Sequence, residues 1–140
     1  MTKVEVQKKI RYNENLVAQY RDAISRLQSQ IYELERLRTK FQSLQYMFEC
    51  RQNDRKRKLF SVYSARVNLK FVSTYITGMS DLLSGSECIH AYNGLSVAQD
   101  RINSQIGSIQ SEISDNYTNL NYRQGRINYW KSQLRYATDN

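Results

Sequence analysis

Apolar residues that recur at alternating steps of three and four constrain the fold of this chain more than any other feature. Near the C-terminus, ten positions follow this rhythm without a fault, and eight of them are apolar. They are Ile102, Ile106, Ile109, Ile113, Asn116, Leu120, Arg123, Ile127, Trp130 and Leu134. A repeat of about three and a half residues is the heptad pattern of helices that pack side by side. Such a helix needs a partner helix to cover its apolar stripe.

A second series follows a helix start signal at the N-terminus. Thr2 and Glu5 have the spacing of a capping box, in which each side chain bonds a free amide of the first turn. The seam after it consists of Val6, Ile10, Asn13, Val17, Tyr20, Ile24, Leu27, Ile31 and Leu34. The apolar stripe then shifts by one step and continues with Leu37, Phe41, Leu44 and Phe48. This shift predicts either a locally overwound supercoil or a change of partner helix.

The chain contains little that would keep its helices short, because Pro is absent and only 5 Gly occur. The predicted elements are a helix over 3–50, a helix over 55–83, a loop over 84–95 and a helix over 96–137. With 140 residues, a single domain is expected. The predicted fold class is all-α, either an elongated antiparallel helical hairpin or a three-helix coiled-coil bundle.

Two polar segments decide the predicted helix boundaries. Residues 51–58 read RQNDRKRK, and the Asn and Asp in this run are able to cap a new helix, which favours a turn. The seam keeps its phase through the run, so one continuous helix to about residue 83 is the alternative. Residues 84–86 read SGS and predict a helix end. Ser96 and Gln99 form a second capping box, where the last helix should begin.

The middle of the chain carries more apolar residues than two antiparallel helices can bury. These residues continue the seam and widen it on one side. Surplus apolar surface of this kind is typical of a protein-binding face. We therefore expect a helical partner to pack along Leu59, Val62, Leu69, Val72 and Ile76.

Positive charge is concentrated in the first half of the chain. Residues 1–70 hold 16 of the 21 Lys and Arg against 7 acids, a formal charge of +9, whereas residues 71–140 carry −1. The densest cluster consists of Arg51, Arg55, Lys56, Arg57 and Lys58. It predicts electrostatic steering of an acidic protein partner, with a solvated helix tip and nucleic-acid binding as the alternatives.

The common catalytic and metal-binding patterns are missing. His90 is the single histidine, and no G-x-x-x-x-G-K-[ST], G-x-G-x-x-G or G-x-S-x-G motif occurs. Cys88 and His90 are spaced as C-x-H, but no second pair completes a zinc site. We therefore expect no enzyme activity, no metal and no cofactor. The predicted helices place Cys50 and Cys88 about 45 Å apart, which predicts free thiols.

Neither a cleavable signal peptide nor a membrane span is predicted. The N-terminal segment MTKVEVQKKIRYNEN lacks an apolar stretch of about seven residues. No apolar window approaches the roughly 18 residues of a membrane helix. Two cysteines also form no disulfide framework, so a reducing, cytoplasmic location is expected.

Eleven tyrosines are more than two helical seams need. Seven of them lie on or near the seam borders, namely Tyr12, Tyr32, Tyr46, Tyr117, Tyr122, Tyr129 and Tyr136. An aromatic ring with a polar tip suits a partly hydrated protein interface. The alternative is that these rings are half-buried borders of the seams.

Three segments together resemble the small helical accessory proteins of type VII secretion in Gram-positive bacteria. They read RLQSQIYELERLRTKFQSL, KFVSTYITGMSDLLSG and INSQIGSIQSEISDNYTNL. The pattern is similar to that of YwqH-like, LXG-associated proteins, which are distant relatives of the WXG family. The resemblance implies a protein that binds the helical N-terminal domain of an LXG toxin, alone or with a second small helical accessory protein, and promotes export of the toxin.

The chain departs from the WXG pattern at two points. It has no W-x-G turn, since the only Trp is Trp130, and Tyr136 and Asp139 have the wrong spacing for a Y-x-x-x-[DE] export motif. Export would then depend on the signal of a partner, and whether this chain leaves the cell stays open.

Three functional hypotheses follow from these observations. The first is a non-enzymatic adaptor or targeting chaperone for an LXG toxin. The second is a self-assembling coiled-coil structural protein of a phage or a cytoskeleton, which the faultless C-terminal seam favours. The third is a basic nucleic-acid-binding helical hairpin, which depends on residues 51–58 alone.

Overall fold

The computed structural model describes residues 1–64 and 70–138, without the side chains of residues 62–64, 70–73, 75, 76 and 84. Helix α1 spans Lys3–Ser64, α2 spans Lys70–Ser84 and α3 spans Ser86–Gln133, and a 3-10 helix over Leu134–Tyr136 follows. Thr2 and Thr138 form an isolated bridge, and the described ranges contain no strand. The all-α prediction is confirmed.

The chain divides into two compact units. Unit 1 comprises Met1–Leu34 and Gln105–Asn140, and unit 2 comprises Glu35–Ser104. Each unit contains part of α1 and part of α3. Within each unit these two segments run antiparallel, because hydrogen bonds join rising residue numbers in α1 to falling numbers in α3.

Unit 1 has the core that the heptad series predicted. Its N-terminal seam positions are all buried or half-buried, and so are those of α3 from Ile106 to Leu134. The most buried apolar side chains of this unit are Val6, Val17, Ile24, Leu27, Ile106, Ile109 and Ile127. Transferring one such side chain from water contributes about 1.5–3 kcal/mol, so this seam supplies most of the driving force that holds α1 to α3.

The N-terminal capping box is confirmed. The Thr2 amide donates to Glu5 Oε2 at 3.0 Å, and the Glu5 amide donates to Thr2 Oγ1 at 3.2 Å. Two amides that lack a helical acceptor are thereby satisfied. The Lys3 amide also donates to the Thr138 carbonyl at 2.9 Å, which ties the start of α1 to the end of the chain.

One polar pair crosses the core of unit 1. Asn13 is buried, and its Oδ1 accepts a hydrogen bond from Arg123 Nη1 at 3.3 Å. Asn116, the other polar position of the α3 seam, donates only to the Glu112 carbonyl of its own helix. Of the two polar positions of this seam, Arg123 thus bonds across to α1, whereas Asn116 bonds locally.

This difference predicts unequal costs for two identical substitutions. Asn13→Ala should lower the free energy of unfolding by about 1 kcal/mol more than Asn116→Ala, because it also leaves Arg123 without its partner. Asn116→Ala is a matched control, since both amides donate to the carbonyl four residues back at 2.8 Å. Urea unfolding followed by circular dichroism measures both values. Equal losses would mean that the cross-helix bond contributes nothing to stability.

The seam continues into unit 2 without the predicted shift. Arg38, Phe41, Gln45, Phe48 and Gln52 are buried or half-buried and keep the alternation of three and four after Leu34. The expectation that the seam passes to Leu37 and Leu44 is wrong, because these two leucines are 42% and 52% exposed. Polar side chains take the inner positions instead.

Hydrogen bonds between α1 and α3 explain how unit 2 tolerates polar seam positions. Gln45 Nε2 donates to Ser96 Oγ at 2.6 Å, and Gln99 Nε2 donates to Gln45 Oε1 at 2.8 Å. Gln52 Nε2 lies 2.8 Å from Cys88 Sγ and 3.4 Å from the Leu83 carbonyl. Each buried amide therefore has partners, and such polar layers specify register more than they add stability.

The predicted break after residue 50 is wrong. Helix α1 passes through residues 51–58, as in the continuous alternative, but it ends at Ser64 rather than near residue 83, and residues 65–69 lie outside the described ranges. The run contains neither Pro nor Gly, and its fourth and seventh residues, Asp54 and Arg57, form an ion pair at 2.7 Å. Buried Gln52 also anchors this turn to Leu83 of α2. These contacts keep the polar run helical.

The predicted loop over 84–95 is also wrong, because only Gly85 separates α2 from α3. A Cβ at Gly85 would lie 2.7 Å from the Asp81 carbonyl oxygen, so the tight bend requires glycine. The Ile89 amide donates to the Gly85 carbonyl and so begins α3. Ser96 and Gln99 are therefore not a helix cap, and their side chains bond Gln45 instead.

Candidate partner-binding surface

Of the five residues in the predicted helix-packing patch, the structure describes the side chain of one. Leu59 lies half-buried on α1. Leu69 lies outside the described residues, and so do the side chains of Val62, Val72 and Ile76. Nearby apolar side chains that are described point to surplus surface in the same unit, since Phe60 and Leu82 are both exposed.

The predicted steering cluster lies on the outside of α1. Arg51, Arg55, Lys56, Arg57 and Lys58 are all exposed on a continuous helix. Arg57 pairs with Asp54, and Arg55 Nη1 donates to Gln52 Oε1 at 3.4 Å. The other three side chains project their charge into solvent, where it acts on an approaching partner more than on the fold.

A second apolar stripe on α1, which we call the surplus stripe, consists of Leu37, Phe41, Leu44 and Phe48. Its members keep the heptad steps of four, three and four. Phe41 and Phe48 also belong to the seam that faces α3, while Leu37 and Leu44 are exposed beside it. A helix with two adjacent apolar stripes is suited to contact two neighbouring helices. Within unit 2, α3 covers the seam stripe, and Leu37 and Leu44 of the surplus stripe stay exposed.

The surplus stripe borders a groove of about 620 Å³, which we call the unit 2 groove. Leu37 and Phe41 form its α1 wall, and its α3 wall is lined by Val97, Ala98 and Ile102. Gly94 leaves open space on the same wall, since no atom lies within 4 Å of where its Cβ would be. Exposed His90 and Arg101 also line the groove. An apolar floor with polar margins is the usual composition of a protein-binding patch.

A second depression of about 520 Å³ continues this surface towards α2. Phe48 and Leu83 form part of its apolar lining, together with Ile89 and Tyr92 of α3. Asn93 lines both depressions, so the two are neighbours along α3. The exposed large hydrophobic residues of unit 2 are Leu37, Leu44, Tyr46, Met47, Phe60, Leu82, Ile89, Tyr92 and Val97.

The two cysteines are free, as predicted, but the reason given for it was wrong. Because α1 continues past residue 50 and α3 begins at Ser86, Cys88 lies beside Gln52 rather than far from this turn of α1. A hydrogen bond to Cys50 raises the pKa of the Tyr46 phenol above its ordinary value, and the negative charges of the Cys50 thiolate form and of Glu49, together with desolvation, act in the same direction. Tyr46 is exposed on α1, and Cys50 is half-buried one turn further along.

Around the groove, the described side chains include one histidine and no cluster of metal-binding groups. His90 is exposed on α3 and lines the groove, where no described carboxylate lies within ion-pair distance of it. Across the described ranges, no group of three His, Cys, Asp or Glu is positioned to hold a metal ion. What the site presents is apolar surface with a polar margin.

None of the described helices combines the length and hydropathy that crossing a bilayer requires. The chain matches no protein-family model, no curated protein and no solved structure at a significant level.

Proposed function

We propose that this chain is a non-enzymatic helical adaptor that binds the helical N-terminal domain of a type VII-secreted LXG toxin and promotes its export. The observation that carries the proposal is the surplus stripe beside the unit 2 groove. Leu37 and Leu44 are exposed at heptad spacing on a helix whose other stripe is already covered by α3. The identity of the partner comes from the resemblance in sequence pattern.

A partner helix fits this surface for a physical reason. Its own side chains at every third and fourth position would enter the groove between α1 and α3 and meet Leu37, Phe41 and Val97. Burying apolar surface contributes roughly 25 cal/mol per Å² to the free energy of binding. Several large apolar side chains are exposed at this face and would be buried by a partner. Packing of this kind would place a further helix against α1 and α3 in unit 2, which needs no catalytic group.

Electrostatic steering is the second part of the proposal. The exposed cluster over 51–58 lies in the same unit as the groove and would attract an acidic partner before contact. Arg51→Glu with Arg55→Glu should slow association at least about tenfold at low salt and change dissociation little, since rim charges act mainly on the association rate. Stopped-flow or surface-based kinetics at several salt concentrations measures both rates. An association rate that ignores both charge and salt would contradict steering.

The proposal is tested by size-exclusion chromatography with light scattering. The purified chain is run alone and mixed with the N-terminal domain of an LXG toxin encoded beside it. A stable heteromeric peak is the expected result. A tight homo-oligomer that ignores the toxin domain would favour the self-assembling coiled coil instead, because a second copy would then cover the surplus stripe.

A further inference from the structure

The terminal end of unit 1 carries a surface of cations stacked on aromatic rings. The Arg123 guanidinium lies 5.8 Å from the ring centroid of Tyr12 and 5.2 Å from that of Tyr122. Tyr12 is on α1, and both Arg123 and Tyr122 are on α3, so these contacts join the two helices of the unit. Each lies within the range of about 6 Å in which a ring attracts a cation.

A second set of stacked cations lies one helical turn further along α3. The Arg126 guanidinium is 4.8 Å from the Tyr129 ring and 5.3 Å from the Trp130 ring. Lys9 Nζ of α1 lies 5.1 Å from the same Trp130 ring. Tyr129 and Trp130 are themselves in edge-to-face contact at 5.0 Å. We call these residues, with Tyr12, Tyr122 and Arg123, the cation–aromatic surface.

The tyrosine rings of this surface are exposed, whereas Trp130 is half-buried. Tyr12, Tyr122 and Tyr129 are 59%, 61% and 45% exposed, so the alternative of half-buried seam borders is wrong for them. Three exposed Tyr together with half-buried Trp130, Arg123 and Arg126 have the composition of protein-binding hot spots. Their pairwise stacking also limits the freedom of the Arg side chains before a partner arrives, which reduces the entropy lost on binding.

The charge of this region is not neutralised by its own acids. Residues 1–20 and 120–138 contain eight Lys and Arg against two Glu, a formal charge of +6. In the described part of the chain, no carboxylate is within ion-pair distance of Lys9, Arg123 or Arg126. One of the two acids, Glu5, is engaged in the capping box. The region therefore attracts an anionic group.

Stacking also determines which anionic groups fit. A guanidinium that lies over a ring keeps its N–H groups at the edge, where a carboxylate accepts two of them side by side. Arg123 and Arg126 are three residues apart, so their side chains are neighbours on one helix face. Arg123 Nη1 already donates to Asn13 Oδ1. A partner helix with carboxylates three or four residues apart would therefore meet the remaining N–H groups of Arg123 and the fork of Arg126.

We infer that the cation–aromatic surface is a second docking site, which takes an acidic α-helix of a protein partner with carboxylates one turn apart. The inference rests on the proposed function for the identity of that partner, but not for the chemistry of the site. Nucleic-acid bases would compete with Arg123 and Arg126 for the ring faces that these cations already cover. A bilayer would need exposed aliphatic side chains to insert. At this end of unit 1 the exposed aliphatic side chains are Met1 and Val4, and neither belongs to the cation–aromatic surface, so a bilayer fits this surface less well than an acidic helix does.

The test uses the full chain and a labelled synthetic probe. The probe is an Ala-rich helical peptide with Glu pairs three residues apart, and its Gln counterpart reports the contribution of charge. Fluorescence anisotropy measures affinity at low salt and at about 0.15 M salt, where screening has a length of about 8 Å. Wild-type protein should bind the Glu peptide and not the Gln peptide. Arg123→Gln with Arg126→Gln should weaken binding about tenfold.

Two further variants separate the docking site from net charge. Arg21→Gln with Arg26→Gln removes two exposed cations of the same unit and should change affinity less than about twofold, since neither residue belongs to the surface. Arg123→Lys with Arg126→Lys keeps the charge but removes the forks and should give an intermediate affinity. If the double Gln variant unfolds, Arg126→Gln alone serves, because its described ring contacts are both within α3.

Several outcomes would overturn the inference. Equal losses in the two Gln double variants would reduce the effect to net charge. Tighter binding of single-stranded oligothymidine or of phosphatidylserine vesicles, lost with the same two arginines, would assign the surface to nucleic acid or to a bilayer. The peptide experiment does not involve the toxin domain, so failure of the toxin complex would count against the proposed function and leave this result standing.

Discussion

Replacing Ile127 by Ala should lower the free energy of unfolding by about 3 kcal/mol, the largest effect expected of a single substitution in this chain. Ile127 is only 3% exposed, in the seam of unit 1. Its removal combines lost transfer from water with a cavity that rigid neighbouring helices cannot close. Urea unfolding followed by far-ultraviolet circular dichroism measures the change.

The same substitution elsewhere on α3 provides the control. Ile89 is 54% exposed, so Ile89→Ala should cost less than about 1 kcal/mol. The two variants lose the same atoms from the same helix, and only their burial differs. Similar losses in both would contradict the assignment of Ile127 to the core and of Ile89 to the open face of unit 2.

Loss of partner binding is the largest functional effect expected. Leu37→Glu with Leu44→Glu should weaken binding of the toxin N-terminal domain at least about 100-fold, because two apolar contacts are lost and two carboxylates would be desolvated. Both leucines are already exposed in the free chain, so the fold should be unchanged. Titration calorimetry measures the affinity, and circular dichroism checks the fold.

Thr39→Glu with Ser43→Glu is the matched control for that experiment. These residues are exposed on the opposite face of α1 in the same unit, and the substitutions introduce the same charge. The control variant should bind within about threefold of wild type. If both double variants lose binding equally, the effect is repulsion by added charge, and the surplus stripe is not the interface.

Much of the helical architecture could be predicted from local pattern. The seams from Val6 to Leu34 and from Ile102 to Leu134 are buried or half-buried as their spacing indicated, and the capping box of Thr2 and Glu5 is present. Heptad spacing and capping depend on residues a few positions apart, so they can be read from one segment at a time. Segments without such a strong pattern were predicted less well.

The boundaries that were mispredicted depend on distant contacts. Residues 51–58 read locally as a turn, but buried Gln52 bonds Leu83, thirty-one residues away, and α1 continues. Ser96 and Gln99 read locally as a helix cap, but their partner is Gln45 of α1. In a sequence, polar residues indicate surface positions. They can lie in the seam only because the tertiary structure supplies a hydrogen-bond partner, which the sequence does not reveal.

The candidate surfaces were even less accessible to prediction. Leu37 and Arg38 are adjacent, and apolarity favoured Leu37 as the seam residue, yet Arg38 faces inward and bonds Asn103. In unit 1, Arg123 and Tyr12 are more than a hundred residues apart, and only helix pairing brings them together. The basic cluster over 51–58 was visible in the sequence, whereas the charge shared by the two chain ends was not.

By itself, the sequence determined that this protein is built of long amphipathic helices, and it identified the seams that hold unit 1 together. The tertiary structure decided which flank of α1 stays open beside Leu37 and Leu44, and which cations of α3 stack on rings at the chain ends. The reason is physical. Periodicity is a property of one helix, whereas exposure and charge clustering depend on which face of a second helix covers the first.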